Sequence, residues 1–202
     1  MLTPTFHVID FEGHPGYGVI EYGVVTVADG AITAVDGRLC APVGGIPARD
    51  SAVHGLIAGD LRGVAPLAED YARFVQWRKT GQLTAHNAAF EHRLLRHTWP
   101  FPPAVPDWDA SGQACADWGP WLDTVIVARE VWPDLPSYGL SALVNAVSLS
   151  GWLAEVAAQW CPPQRRKPHC ALYDALASAG VLLAAWAQGW RPQRGNPQGE
   201  LF

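Results

Sequence analysis

Apolar and polar positions along this chain follow a period of two in some stretches and a helical period in others, and the switches between them mark out the elements. Phe6-His-Val-Ile-Asp10, bounded by Gly13-His-Pro-Gly16, reads as a buried strand over 5–10 that ends in a turn. A hairpin pair follows through 18–27 and 30–40. Next come a helix over 65–79, a short strand over 82–86 and a helix over 88–97 with Asn87 as its N-cap. Residues 99–120, rich in Pro and Trp, form an unusually long connection, of the kind that walls a functional groove. A short strand near 121–124 leads into helices at 124–131, 139–147 and 150–160. Pro168 turns Lys167 away from helical geometry, and a last helix runs from 170, with Leu172, Leu176, Ala179, Leu183 and Trp186 on one stripe. Strands interleaved with helices predict one α/β domain over 1–190, without internal repeats, followed by a short tail over 191–202.

Carboxylates mark the joints of this pattern. Asp10 and Glu12 lie two apart on a strand and therefore share a face, where two like charges repel unless protonated or neutralised by a cation. Hard divalent ions such as Mg²⁺ take oxygen ligands of this kind. Glu91 falls in the first turn of the helix after the 82–86 strand, in His86-Asn-Ala-Ala-Phe-Glu91. His169-Cys-Ala-Leu-Tyr-Asp174 puts an imidazole at the start of the last helix and a carboxylate about one turn inside it. Taken singly, each has a bland reading as a solvated strand end or a helix-dipole carboxylate. Jointly, three acidic stretches at strand ends and helix starts, where α/β folds build their sites, point to one metal-dependent nuclease centre.

These residues resemble a known family, the 3′ to 5′ exonucleases of the proofreading-subunit type. The resemblance runs from about Phe6 to Trp186 through Val8-Ile-Asp10-Phe-Glu12, Val19-Ile-Glu21-Tyr-Gly23-Val-Val25, His54-Gly-Leu56, His86-Asn87 with Phe90-Glu91, Asp123-Thr124, Ser137-Tyr-Gly-Leu140 and His169 to Asp174. The four residues between His169 and Asp174 match the branch that uses histidine rather than tyrosine. The resemblance implies a ribonuclease-H-like α/β fold, a mixed five-stranded sheet flanked by helices. It also implies that Asp10, Glu12 and Asp174 bind two Mg²⁺ or Mn²⁺ ions, that Glu91 occupies the fourth acidic position and that His169 is the general base. Two departures stand out. The family usually has Asp where this chain has Glu91, and Gly13-His-Pro-Gly-Tyr17 replaces its usual Thr-Thr-Gly.

The chemistry asks for these residue types in its own right. Phosphodiester hydrolysis needs an activated water, a clamp on the charge of the transition state and help for the departing oxygen, all of which a metal pair supplies. Carboxylates hold such ions, and an imidazole accepts the proton. Candidate substrate contacts are Gly13, Tyr17, His54, Asn87, Arg165 and Arg166, with Tyr17 placed to stack on a base and the basic run Arg165-Arg-Lys167 placed to meet the backbone. Most of the ten tryptophans read as core.

A net charge of −5 is unusual for a protein that binds a polyanion, but two divalent ions would bring it to −1. At 202 residues, 49% hydrophobic and 16% charged, the chain is long enough for one well-packed core. Cys40, Cys115, Cys161 and Cys170 form no Cys-x-x-Cys pair and read as reduced cytosolic thiols rather than zinc ligands. With no signal peptide and no apolar run of membrane-spanning length, the expectation is a soluble, cytoplasmic protein with no membrane partner.

Residues 191–202 are rich in Pro, Gly, Gln and Arg and are expected to be disordered, yet they end in Gln198-Gly-Glu-Leu201-Phe202. That ending resembles the peptide, Gln then two residues then Leu-Phe, by which bacterial DNA enzymes dock on the sliding clamp, so Gln198, Leu201 and Phe202 are candidate partner contacts; a tail folded back on its own domain is the other reading. Two function classes stay open. One is an active exonuclease on DNA, with a 3′ exoribonuclease as its nearest rival; the other is a weakly active, clamp-binding scaffold subunit.

Overall fold

The computed structural model describes residues 4–110 and 112–192. Its centre is a five-stranded mixed sheet in the order β3-β2-β1-β4-β7. The antiparallel half is a meander of β1 (Phe6–His14), β2 (Gly18–Ala28) and β3 (Ala31–Leu39). β4 (Gln82–Ala85) and β7 (Leu122–Asp123) add in parallel beside β1.

Alternation along β1 sends its side chains into two separate cores. Phe6 and Val8, with Val25 and Val27 of β2, pack against the C-terminal helices. Ile9 and Phe11, with Tyr22 and Val24, pack on the opposite face against Phe74, Leu94 and Leu95. These last three belong to α2 (Tyr71–Thr80) and α3 (Ala89–Thr98). The C-terminal layer comprises α4 (Thr124–Val131), α5 (Leu140–Ala146), α6 (Ser150–Trp160) and α7 (Ala171–Ala187). Asp10 and Glu12 continue the Val8 face and so point toward α7.

α7 is buried on every side from Ala175 to Leu182, rather than along the single stripe its periodicity predicts. Small residues permit this. A Cβ on Gly23 of β2 would lie 2.4 Å from the Cα of Leu172, and one on Gly180 would lie 2.4 Å from the ring of Trp152. The first turn of α7 therefore rests backbone to backbone on β2.

Elsewhere the sequence expectations need adjusting. β1 continues past Asp10 to His14, through a bulge at Glu12/Gly13. The 65–79 helix starts only after Pro66, the N-cap of a 3-10 turn (Leu67–Asp70), and divides at Asp70, whose backbone at φ −91° and ψ 9° separates that turn from α2. A short helix, α1 (Ala48–His54), interrupts what reads as loop and ends at Gly55 in the left-handed region. The long 99–120 connection carries its own ribbon, β5 (Val105–Pro106) with β6 (Ala114–Cys115). It is pinned by the buried Arg78, which donates to the carbonyls of Pro103 and Cys115 at 2.5 and 2.6 Å, and by Gln82, which donates to Asp109 at 2.9 Å. Gln82 pairs with Phe6, at the end of β1 remote from Asp10, so this part of the connection lies away from the carboxylates instead of walling them.

Tryptophans cluster as expected of core: Trp77, Trp99, Trp118 and Trp121 pack on the Phe74 side, and Trp132, Trp152, Trp186 and Trp190 on the α7 side. All four cysteines are free thiols. No single helix among the described residues is long and apolar enough to cross a membrane. The tail residues Gln198, Leu201 and Phe202 lie outside the described residues.

The Gly23 contact is directly testable. Gly23→Ala is expected to destabilise the fold by roughly 2–3 kcal/mol, because backbone cannot move aside as a side chain does. Gly45→Ala, at an exposed position with nothing within 4 Å of the new Cβ, should stay within about 0.5 kcal/mol of the parent in urea unfolding.

Candidate active site

Asp10 and Glu12 project from β1 toward α7, whose first turn supplies Asp174. Ligand atoms of Glu12, His169 and Asp174 all lie within 4.8 Å of one another, an arrangement that can hold a metal ion. His169 is exposed at the mouth, with its backbone in the left-handed region at φ 61°. Its N–H donates to Asp174 Oδ2 at 2.7 Å, which ties the loop to the carboxylate it precedes. Glu91 enters from the other side of the sheet, in the first turn of α3, and is 3% exposed.

The electrostatics bind these four acids into one unit. Burial raises Asp10 well above the ordinary carboxylate range, and the charges of Asp174, Glu91, Glu12 and Glu21 raise it further. Burial and the Asp174 charge push Glu12 up to about 8, while Arg165 pulls it back in part. Asp174 rises to about 6, chiefly through burial, against the opposing bond from the His169 N–H. Glu91 is also raised well above its usual value by burial. Its Oε2 is buried and has no hydrogen-bond partner. Hard carboxylate oxygens crowded together, one of them orphaned, are a donor set suited to divalent cations.

Two acids outside this set organise it. Asp123, at the end of β7, accepts from the backbone N–H of Asn87 and Ala88 at 3.0 Å each and of Val125 at 2.8 Å. It thereby caps α4 and fixes the turn that presents Glu91. His86 completes that joint: its Nε2–H donates to the Tyr138 carbonyl at 2.9 Å, so its Nδ1 accepts from the Thr124 hydroxyl at 2.9 Å. Glu21, the cross-strand partner of Glu12, is buried and salt-bridged to Arg165. The sequence carried a signal for both. A charge inside the apolar run Val19 to Val25 needs a buried partner, and an Asp between a strand and a helix is an N-cap.

The expected substrate contacts fare differently. Tyr17 is 3% exposed and packs with Ile20, Leu56 and Leu61, so it is core and not a free stacking platform. His54 is buried too. Its Nδ1 accepts from the Leu56 N–H at 3.1 Å, which leaves the proton on Nε2, and Nε2 has no partner. Gly13 sits in the bulge, where a Cβ would fall 2.6 Å from the Gly18 carbonyl oxygen; this gives it a backbone reason to be glycine. Asn87 is exposed at φ 65° and does not cap α3 with its side chain, a role the Asp123 carboxylate takes. Arg165 and Arg166 are engaged within the protein: Arg165 with Glu21 and the His54 carbonyl, Arg166 with the carbonyls of Cys161 and Ala158 at 2.9 Å. Arg165 is therefore not a free phosphate contact in this structure, whereas Arg166 stays exposed with its Nη1 outside these bonds.

A carboxyl raised in the folded chain keeps its proton to higher pH than in the unfolded chain. Its contribution to stability is therefore complete below the unfolded value and is lost as pH climbs through the folded one. For Asp174 and Glu12 that window runs from their ordinary values of 3.8 and 4.5 to about 6 and about 8. The metal-free protein is expected to melt progressively lower between about pH 4 and pH 8, Glu12→Gln to flatten that slope, and Mn²⁺ to raise the melting temperature most at the alkaline end. Calorimetric scans on chelated and Mn²⁺-loaded samples check all three.

No family model matches the chain. It is 28% identical to "DNA polymerase III PolC-type" of Thermotoga petrophila over 183 residues, which are 89% of the chain and 12% of that protein. It is 26% identical to a "DNA polymerase III subunit epsilon-like protein" of Rhodobacter capsulatus over 170 residues, 83% of the chain and 21% of that protein. The match thus spans about an eighth to a fifth of the length of these relatives. Among solved structures, Exonuclease X in complex with 5′ overhanging duplex DNA superposes with a TM-score of 0.66 at 23% identity, covering 94% of this chain and 96% of that one. The nuclease domain of 3′hExo, described as a DEDDh family member bound to rAMP, superposes with a TM-score of 0.65 at 13% identity over 93% and 94% of the two chains. The fold is ribonuclease-H-like, the fold of these exonuclease structures, and over most of its length the chain is similar in sequence to the DNA polymerase III proteins named above.

Proposed function

We propose that this chain is a metal-dependent 3′ to 5′ exonuclease that removes nucleotides from 3′ ends of DNA in the cytoplasm, on single strands or overhangs. The observation that carries the reading is the convergence of Asp10, Glu12 and Asp174 with the imidazole of His169 and the orphaned carboxylate of Glu91. In this reading Asp10, Glu12, Glu91 and Asp174 hold two Mg²⁺ or Mn²⁺ ions. When bound, such ions supply Lewis acidity and offset the charge that builds on the phosphoryl oxygens. The four acids thereby exchange mutual repulsion for cation binding.

His169 takes the proton from the attacking water. Its exposed position lets the imidazole reach a water at the mouth and pass the proton to solvent. DNA is favoured because the sequence relatives named above carry DNA polymerase III names. An exoribonuclease is the second reading, favoured by a structural neighbour described as recognising a histone mRNA stem-loop, at a TM-score of 0.69 and 12% identity. A role in repair, proofreading or fragment trimming fits the first reading, as does docking of Gln198, Leu201 and Phe202 on a sliding clamp.

End-labelled DNA and RNA oligonucleotides incubated with Mg²⁺, Mn²⁺ or chelator test the activity; release of mononucleotides from DNA that chelator abolishes is expected. His169→Ala should lose turnover by roughly 10²-fold or more, in keeping with loss of a general base. Manganese affinity by titration calorimetry should persist in that variant, and parental turnover would remove His169 from the mechanism. For the tail, retention on immobilised clamp is expected for the full chain and not for a variant lacking residues 198–202; equal retention ends the docking idea.

A further inference from the structure

Arg165 stands four residues before His169 with its donors turned inward. Nε donates to Glu21 Oε1 at 3.1 Å, Nη2 donates to Glu21 Oε2, and Nη1 donates to the carbonyl of His54 at 2.7 Å. The two side chains are 17% and 10% exposed. Glu21 Oε2 also accepts the N–H of Ala171, the first residue of α7, at 3.0 Å. On the sheet, Glu21 is the register partner of Glu12. One fork–fork pair therefore joins three bodies: the strand next to the metal-ligand candidate Glu12, the end of α1, and the segment that delivers His169.

Beyond the bonds of Arg166 to the carbonyls of Cys161 and Ala158, that segment has few other anchors. Between Cys161 and Cys170 it contains a 3-10 turn (Pro163–Arg165) and no longer element, and Arg166, Lys167, Pro168 and His169 are all exposed. His169 itself is held by one backbone bond to Asp174. An imidazole that must sit within one bond length of its working position needs firmer support than an exposed left-handed residue supplies. We infer that the buried Glu21–Arg165 pair is the positioning device for His169, fixing the imidazole against Glu12 and Asp174, and that Arg165 does not bind substrate phosphate. Its charge has a second use, since it compensates Glu21, the fifth acid beside the cluster. A lysine would keep that charge but could not span Glu21 and the His54 carbonyl as a planar fork.

The inference rests on the exonuclease reading for its kinetic arm and is independent of it for its structural arm. In the metal-free chain, Glu21→Gln and Arg165→Met are expected to raise hydrogen exchange of the 166–172 amides by about tenfold or more and leave β1 and β2 protected. On a single-stranded DNA oligonucleotide, both should lower kcat by roughly 10- to 100-fold, with KM and Mn²⁺ affinity within about threefold of the parent. The double variant should be no worse than the worse single, as members of one device behave. Arg165→Lys should recover part of kcat, and it serves as the milder variant if Arg165→Met fails to fold. Unchanged exchange in the segment overturns the proposal, as does a rise in KM at parental kcat, which would return Arg165 to phosphate binding. A parent without nuclease activity would sink the exonuclease reading alone, and the exchange measurement would still judge the tether.

Discussion

Repulsion among carboxylates held in a largely apolar interior is the constraint around which this protein is arranged. Asp10, Glu12, Glu91 and Asp174 each sit where burial disfavours their charge, and Glu21 adds a fifth acid beside them. Left to themselves these groups would separate or take up protons. The fold prevents separation by making their carriers rigid. Asp10 and Glu12 lie on the central strand, paired with β2 along its length and with β4 as far as Val8, and Asp174 lies on a helix enclosed by its neighbours. Glu91 lies on a helix whose entry is fixed by two backbone bonds to Asp123, itself held at the start of α4 by a third. Stability spent in this way is characteristic of sites that await a counter-charge.

Close approach of α7 to β2 is what turns this rigidity into a centre. Gly23 lets the first turn of α7 descend onto the strand, and the helix is then enclosed along Ala175 to Leu182 with Gly180 against Trp152. Any side chain at position 23 would lift the end of the helix that bears Asp174 and, just ahead of it, His169. The same approach brings the N–H of Ala171 to Glu21 and so closes the link to Arg165. Core packing and site geometry thus share one contact.

Much of this was legible in the sequence. The strand order of apolar runs, the helix after Pro168 and the two-apart spacing of Asp10 and Glu12 follow from local periodicity, which depends only on neighbours in the chain. What escaped was tertiary. Tyr17 lies on a Gly- and Pro-rich loop that reads as exposed, yet the loop folds over Ile20, Leu56 and Leu61 and buries the ring. Asn87 has the composition of an N-cap, yet its positive φ and the reach of Asp123 from another strand give the capping role to a residue 36 positions away. Arg165 and Arg166 look like a solvated basic run, and only the fold reveals the buried acid and the carbonyls that claim them. In each case a partner distant in sequence decided the outcome.

Arg78 and Arg165 differ in what their guanidinium forks hold, and the partner separates the uses of these two arginines. Arg78 is 1% exposed and spends its fork on the carbonyls of Pro103 and Cys115, with its plane over the Trp118 ring. It fastens the long connection to α2, far from any carboxylate cluster, so its role is packing. Arg165, with its side chain 17% exposed, spends its fork on a carboxylate that already serves the first N–H of α7. A pair of that kind transmits the position of β2 to the start of α7, because neither partner can move without stranding a charge in the interior. Net charge says little about how such a protein meets a polyanion. Arg78 and Arg165 are committed inside, so attraction for a phosphate backbone falls to exposed cations such as Lys167 and to whatever the four acids bind.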